Sequence, residues 1–257
     1  MDAKTTKTDK KAEKKKESFS ESVASIAAVF VSGLFIITFI FQAFVIPSGS
    51  MENTLLIGDH VFVDRLTPTA KAGYIGPIIP YREIKHGDIV VFLSPVQPGL
   101  FVVKRVMGIP GDRIHLKNGV VYRNGVALDE PYVLHDGGYD PYRDEFPSLS
   151  AAGMVPSEAA EWPLVLQQNI QNGELVVPPG KYFGMGDHRS VSLDSRFWGF
   201  IPRENIVGRP LFIYWSFVTP SDQYERTEMS DRIKFLVHVV VHFFDQTRWN
   251  RMFRLAR

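Results

Sequence analysis

The segment Ile46-Pro47-Ser48-Gly49-Ser50-Met51-Glu52-Asn53-Thr54-Leu55-Leu56-Ile57-Gly58-Asp59 follows directly on a long apolar run, and the architecture turns on that junction. Pro47 fixes its own φ while Gly49 is free to take unusual values. Such a backbone can hold one hydroxyl, Ser50, forward with a second, Ser48, beside it. The same residues also make an ordinary turn at the edge of a membrane, because Pro, Ser and Gly are common turn formers. On this stretch alone both readings stand.

Upstream, Val23 to Ile46 carries no charge and only Ser25, Ser32, Thr38 and Gln42 as polar side chains. As one helix it would reach about 36 Å, enough to cross a hydrocarbon layer of roughly 30 Å. A transmembrane helix is therefore expected over residues 23–46. Residues 1–22 hold seven lysines against five acids and no aromatic residue before Phe19, the composition of a disordered, solvated tail. Those lysines, with no comparable cluster just beyond the run, place the N-terminus in the cytoplasm and the bulk of the chain outside. A cleaved leader is the rival reading, but the run exceeds the roughly 7–15 apolar residues such leaders use. Net charge is +1 over 257 residues, so no basic field points to nucleic acid, and the absence of cysteine excludes disulfides and thiolate chemistry.

Downstream, short β-branched runs separated by Gly and Pro read as strands: His60–Asp64, Asp88–Leu93, Phe101–Met107, Lys181–Phe183 and Ile206–Ser216. Asn118-Gly119 and Asn124-Gly125 bracket Val120–Arg123 and follow Arg113–Lys117, which predicts a small meander with tight hairpin turns. Residues 67–87 look like a loop. Residues 135–177 read as an irregular insertion with a short helix around Ala159 to Ile170. The expected fold is mostly β: an antiparallel catalytic core from residues 47–113 and 178–230, with a β-rich subdomain inserted at 114–177. In the last segment, 231–257, Ile233, Leu236, Val237, Val240, Val241 and Phe244 form one helical apolar face among six basic residues. That basic amphipathic element can lie on a membrane or dock on the β core.

The candidate chemistry sits in three islands: the serine stretch, Lys104, and Gly186 to Gly199. By period 2, Lys104 shares a strand face with Val102 and Val106. It is either a charged guard on an edge strand or a desolvated amine, neutral near pH 7 and able to activate a serine. His188 is a rival base, although its neighbour Asp187 is badly placed to orient it, and a surface turn is the better account of that pair. His238 and His242 have the i, i+4 spacing of a zinc pair without the glutamate that accompanies it. No metal is expected.

Together the islands resemble the bacterial type I signal peptidases, membrane-anchored serine–lysine endopeptidases that release secreted proteins from their signal peptides. Pro47-Ser48-Gly49-Ser50-Met51 is similar to the family's nucleophile motif, Lys104 through Asp112 to its general-base motif, and Gly186-Asp187 through Trp198-Gly199 to its last box. The resemblance implies Ser50 as nucleophile and Lys104 as base, with the Ser50 amide and Ser48 hydroxyl forming the oxyanion hole. It also implies Ser192 hydrogen-bonded to the lysine amine and Asp194 with Arg196 as a supporting ion pair. Phe44, Ile46, Met51 and Val103 are expected to line shallow pockets for small side chains such as Ala-x-Ala. No cofactor is implied, and the partners are signal-peptide-bearing precursors and the bacterial cytoplasmic membrane. Asn53 and His188 depart from the family's usual Pro and Asn. A serine–lysine peptidase with one dedicated substrate, of pilin or conjugation type, and a silent membrane-tethered β binding module are the alternatives.

Overall fold

The computed structural model describes residues 19–35, 40–66, 82–148 and 156–257. The expected disordered tail, most of the loop at 67–87 and part of the insertion lie outside the described residues. The elements are α1 (Phe19–Phe35), β1 (Phe41–Val45), β2 (Asp59–Asp64), β3 (Ile89–Leu93), β4 (Phe101–Gly108), β5 (Arg113–Lys117), β6 (Val120–Arg123) and β7 (Val126–Ala127). Then come α2 (Pro141–Asp144), α3 (Trp162–Gln168), β8 (Ile170–Gln171), β9 (Glu174–Val176), β10 (Lys181–Met185), α4 (Ser195–Trp198), β11 (Ile201–Pro202), β12 (Ile206–Ser216), α5 (Met229–Val241) and α6 (Phe243–Gln246). The strands form two antiparallel sheets, ordered β1-β2-β12-β3-β4-β10-β11 and β7-β6-β5-β9-β8.

Strand β3 explains the layering. Its unbroken apolar text, Ile89-Val90-Val91-Phe92, has both faces covered, as such runs require. Val90 and Phe92 join a large core with Val106, Ile114, Leu116, Phe183 and Trp198, so this core spans both sheets. Ile89 and Val91 join a smaller core with Ile46, Met51, Leu55, Val61, Val63 and Ile213. The serine stretch is therefore welded to the smaller core by its own Ile46, Met51 and Leu55. The small sheet follows from turn chemistry. Asn118, Gly119, Asn124 and Gly125 take φ of 50°, 77°, 52° and 80°, the left-handed pairs a two-residue hairpin needs.

One expectation changes. The helix expected over 23–46 is present over its described part to Phe35, residues 36–39 lie outside the described residues, and Phe41 to Val45 is a strand rather than helix. Helix α1, with 17 residues, rises only about 25 Å, and no helix among the described residues is long and apolar enough to cross a membrane. The cause is pairing: Phe41 to Val45 runs antiparallel against Asp64 to His60, and Ile46 N–H donates to Asp59 O at 2.8 Å. An apolar stretch that satisfies its backbone on a neighbouring strand has no need of a helix. At the other terminus, Arg251 faces inward. It grips buried Asp59 with Nη2 at 2.6 Å and Nε at 3.1 Å, and the tail adds Phe253 N–H to Ile213 O on β12 at 2.7 Å.

Candidate active site

Lys104 lies on β4 between β3 and β10. A charged guard must stand in solvent and Lys104 is buried, so that reading falls. The side chain is 3% exposed, and its Nζ lies 2.7 Å from Ser50 Oγ. Burial is the main influence on the amine and lowers its pKa from 10.5 to about 8. The carboxylates of Asp194 and Asp187 pull it up and Arg196 pushes it down. Ser50 is presented by the short turn Gly49–Met51, entered through Ser48 in extended backbone at φ −135°, ψ 157°. Ser48 is exposed, on the approach to Ser50.

The last box packs against this pair. Asp194 is fully buried and takes a fork from Arg196, Nε to Oδ1 at 2.9 Å and Nη2 to Oδ2 at 2.8 Å. Burial acts to raise its pKa, but the Arg196 charge and hydrogen bonds outweigh this and hold it below the usual carboxylate value. Asp194 also accepts from Gly186 N–H at 3.0 Å and caps α4 through Arg196 N–H. The Ser192 hydroxyl, expected to bond the lysine amine, instead donates to Asp194 Oδ2 at 2.8 Å. A buried carboxylate is the stronger acceptor, and Ser192 reaches the site through it. Gly186 is needed for closeness: a Cβ there would stand 2.3 Å from Ser192 Oγ and 2.4 Å from Ser50 O.

Sequence reasoning missed a second constellation one residue along β4. Arg105 forks onto Asp187, Nε to Oδ1 at 2.8 Å and Nη2 to Oδ2 at 2.6 Å, and its guanidinium lies 3.8 Å over the Tyr132 ring. The Thr54 hydroxyl donates to Asp187 Oδ2 at 2.5 Å. Asp187 and His188 are thus buried rather than in a surface turn, because Asp187 is the counter-ion that Arg105 requires. Strand alternation next to Lys104 was the available signal. His188 N–H donates to Ser50 O at 3.1 Å, while its ring sits between Asp136 Oδ1 at 2.8 Å and Glu52 Oε2 at 3.3 Å. The ring is held through Nε2 by Asp136, its Nδ1 has no hydrogen-bond partner among the described residues, and it makes no hydrogen bond with the Ser50 hydroxyl. Asn53 takes φ of 87° and donates to Tyr132 O at 3.0 Å. A proline could not adopt that angle, so the loop follows a path the family's usual residue forbids.

Of the expected pocket residues, Ile46 and Met51 are sealed in the core at 3% and 1% exposure, whereas Phe44 and Val103 are half-buried at its rim. Ile46 and Met51 therefore offer no surface to a ligand, since a core side chain cannot meet one without opening the fold. The rings of His238 and His242 are engaged by Gln246 and Asp245, respectively.

Residues 19–215 match the family model described as signal peptidase, peptidase S26. Among similar proteins is the signal peptidase I of Aquifex aeolicus, 31% identical over 254 aligned residues, covering 86% of this chain and 94% of that one. The signal peptidase I of Haemophilus influenzae is 31% identical over 245, covering 77% and 70%. A crystal structure of a signal peptidase I from Enterococcus faecalis V583 aligns with 50% of this chain and 97% of its own, at 30% identity and a TM-score of 0.37. With a model match over most of its length and a relative of nearly equal span, this chain belongs to the signal peptidase family, peptidase S26.

Proposed function

We propose that this protein is a serine endopeptidase that removes signal peptides from secreted precursors after small residues of the Ala-x-Ala type, using Ser50 and Lys104. The observation that carries this reading is the buried amine with a lowered pKa, 2.7 Å from the Ser50 hydroxyl. Strand β1 is the outermost strand of the large sheet and leads straight into Ser48 and Ser50. An extended precursor adding to that edge arrives beside the nucleophile, with Phe44 and Val103 limiting side-chain size. Neutral Lys104 takes the Ser50 proton as Oγ attacks the scissile carbonyl. The Ser50 amide and Ser48 hydroxyl receive the oxyanion, where each donor contributes about 3–4 kcal/mol in well-studied cases. Lys104 then gives its proton to the leaving amine, and water releases the acyl group. Helix α1, with the lysine-rich segment before it, serves as the attachment to the bacterial membrane, in the single-pass, cytoplasmic-N-terminus arrangement.

The test is cleavage of a precursor by protein reconstituted in lipid. Ser50→Ala and Lys104→Ala are each expected to lose at least about 10²-fold, the usual minimum for removing a general base. Because only neutral Lys104 is competent, kcat/KM should rise as pH climbs through about 8 and level above it. A flat profile across that range would rule lysine out as the base.

A further inference from the structure

Helix α5 is docked with its faces reversed. Its half-buried positions are Asp231, Phe235, His238 and Val239, followed on the same side by His242 and Gln246; Phe235 and His238 rest on Phe217. The aliphatic face points away from the domain: Ile233, Leu236, Val237, Val240, Val241 and Phe244 are all exposed, Phe244 to 79%. A helix docked for stability alone buries its apolar stripe. Among the described residues nothing covers that stripe.

The surroundings say what kind of cover fits. At 100° per residue, Arg232 and Lys234 fall on opposite flanks of the aliphatic face, where long cationic side chains reach past a buried apolar strip to a charged layer. Asp231, which meets Lys234 Nζ at 3.2 Å, and Asp245, which pairs with His242, lie toward the docked side. Next along the chain, Trp249 is half exposed with its indole N–H on Phe244 O at 3.0 Å. Phe253 takes φ of 62°, a costly conformation for an aromatic residue, and turns its ring outward. From α6 a strip of aromatic contacts crosses the outer face of the large sheet: Phe243 to Trp215, then His60, Tyr214, Phe62 and finally Phe41. Phe41 opens β1 a few residues beyond α1 in the chain, and from Val23 to Phe35 α1 is exposed and carries only Ser25 and Ser32 as polar side chains. Such a helix belongs in lipid or deep in protein. The strip thus runs from α6 to Phe41, on the strand that follows α1 in the chain, and aromatic belts of this kind are found at membrane–water boundaries.

We infer that the α5–α6 segment is a second, interfacial attachment of this protein to an anionic lipid surface. A second copy of the chain would bring Arg232 and Lys234 against like charges, whereas a layer of anionic headgroups offers the opposite sign. Seating the catalytic domain on the bilayer this way would hold β1 and Ser50 close to the membrane instead of on a free tether.

The chain has no cysteine, so Val240→Cys and, separately, Phe244→Cys give single-site fluorophore attachment in the otherwise unaltered full chain. Val126→Cys, exposed on the small sheet, is the reference position. The proteins are reconstituted in vesicles of phosphatidylglycerol and phosphatidylcholine. Labels at 240 and 244 should be quenched several-fold more by lipid-borne nitroxide, and several-fold less by aqueous iodide, than the label at 126. Adding Arg232→Gln and Lys234→Gln should reduce that difference. Iodide quenching equal to that at 126 would overturn the inference. So would protection from both quenchers that fades as protein is diluted into more lipid, because a second copy would then be the cover. The readout is fluorescence and involves no turnover, so failure here leaves the catalytic reading standing, and the reverse also holds.

Discussion

Replacing Lys104 by methionine should abolish cleavage and, near neutral pH, make the protein more stable. The amine is buried, and its pKa falls from 10.5 to about 8, so folding at pH 7 carries an ammonium into a place that disfavours it. At 1.36 kcal/mol per pKa unit, this is a penalty of about 3 kcal/mol. For the sign, the folded state loses its proton near pH 8, the unfolded state near 10.5, and between them the unfolded state binds more protons. Stability therefore rises with pH across that window, with the full penalty present below it. Methionine fills a similar volume and has no proton to lose. The assay is urea unfolding of detergent-solubilised wild type and Lys104→Met at pH 7 and pH 10, taking the difference between the proteins at each pH so that other titrating groups cancel. That difference should move in favour of wild type by about 2–3 kcal/mol on going to pH 10. A difference that does not change with pH would refute the claim that burial depresses this amine.

Two further outcomes concern its neighbours. Asp187→Asn keeps the shape but strands Arg105 without its counter-ion, so the urea midpoint should fall by the equivalent of about 3–5 kcal/mol, as unfolding curves will show. Gly186→Ala puts a methyl 2.4 Å from Ser50 O and 2.3 Å from Ser192 Oγ. Displacing the nucleophile by a fraction of an ångström should lower kcat/KM by about 10²-fold with a smaller loss of stability, and unaltered kinetics would show that Ser50 has room to move.

What could be read from the sequence was what is decided locally. The Asn-Gly hairpins are set by φ values that few other residues tolerate, so β5 and β6 were expected at the boundaries they have. Ser50 and Lys104 were legible because their motifs are distinctive. Strand β1 was not, since Phe41 to Val45 is equally good helix text until β2 supplies backbone partners. Nor was the Arg105–Asp187 pair, whose members are separated by 82 positions and meet only when β4 and the last box pack. The helicity of α5 was visible in its 3.6-residue period. Which side it turns to the domain was not, because period alone does not distinguish a face that packs on protein from one that faces away.

The ion pair beside the dyad adjusts an amine whose pKa burial chiefly lowers, and this can be tested in both directions. Asp194 is a buried anion near Lys104 and, alone, would stabilise the ammonium and spoil the base. Arg196, forked onto Asp194, opposes it. Arg196→Gln leaves the anion uncompensated, so the acid limb of kcat/KM should move to higher pH. Asp194→Asn leaves the cation, so the limb should move to lower pH. Each change strands a buried charge and will reduce the amount of folded protein. The midpoint of a pH profile does not depend on how much active enzyme is present, so the direction survives that loss. Ser192, whose hydroxyl now donates to Asp194, would be freed by Asp194→Asn to turn toward the lysine, which also favours the neutral amine as acceptor. Shifts of the same sign in both variants would mean that the pair only supports the fold and does not tune the base.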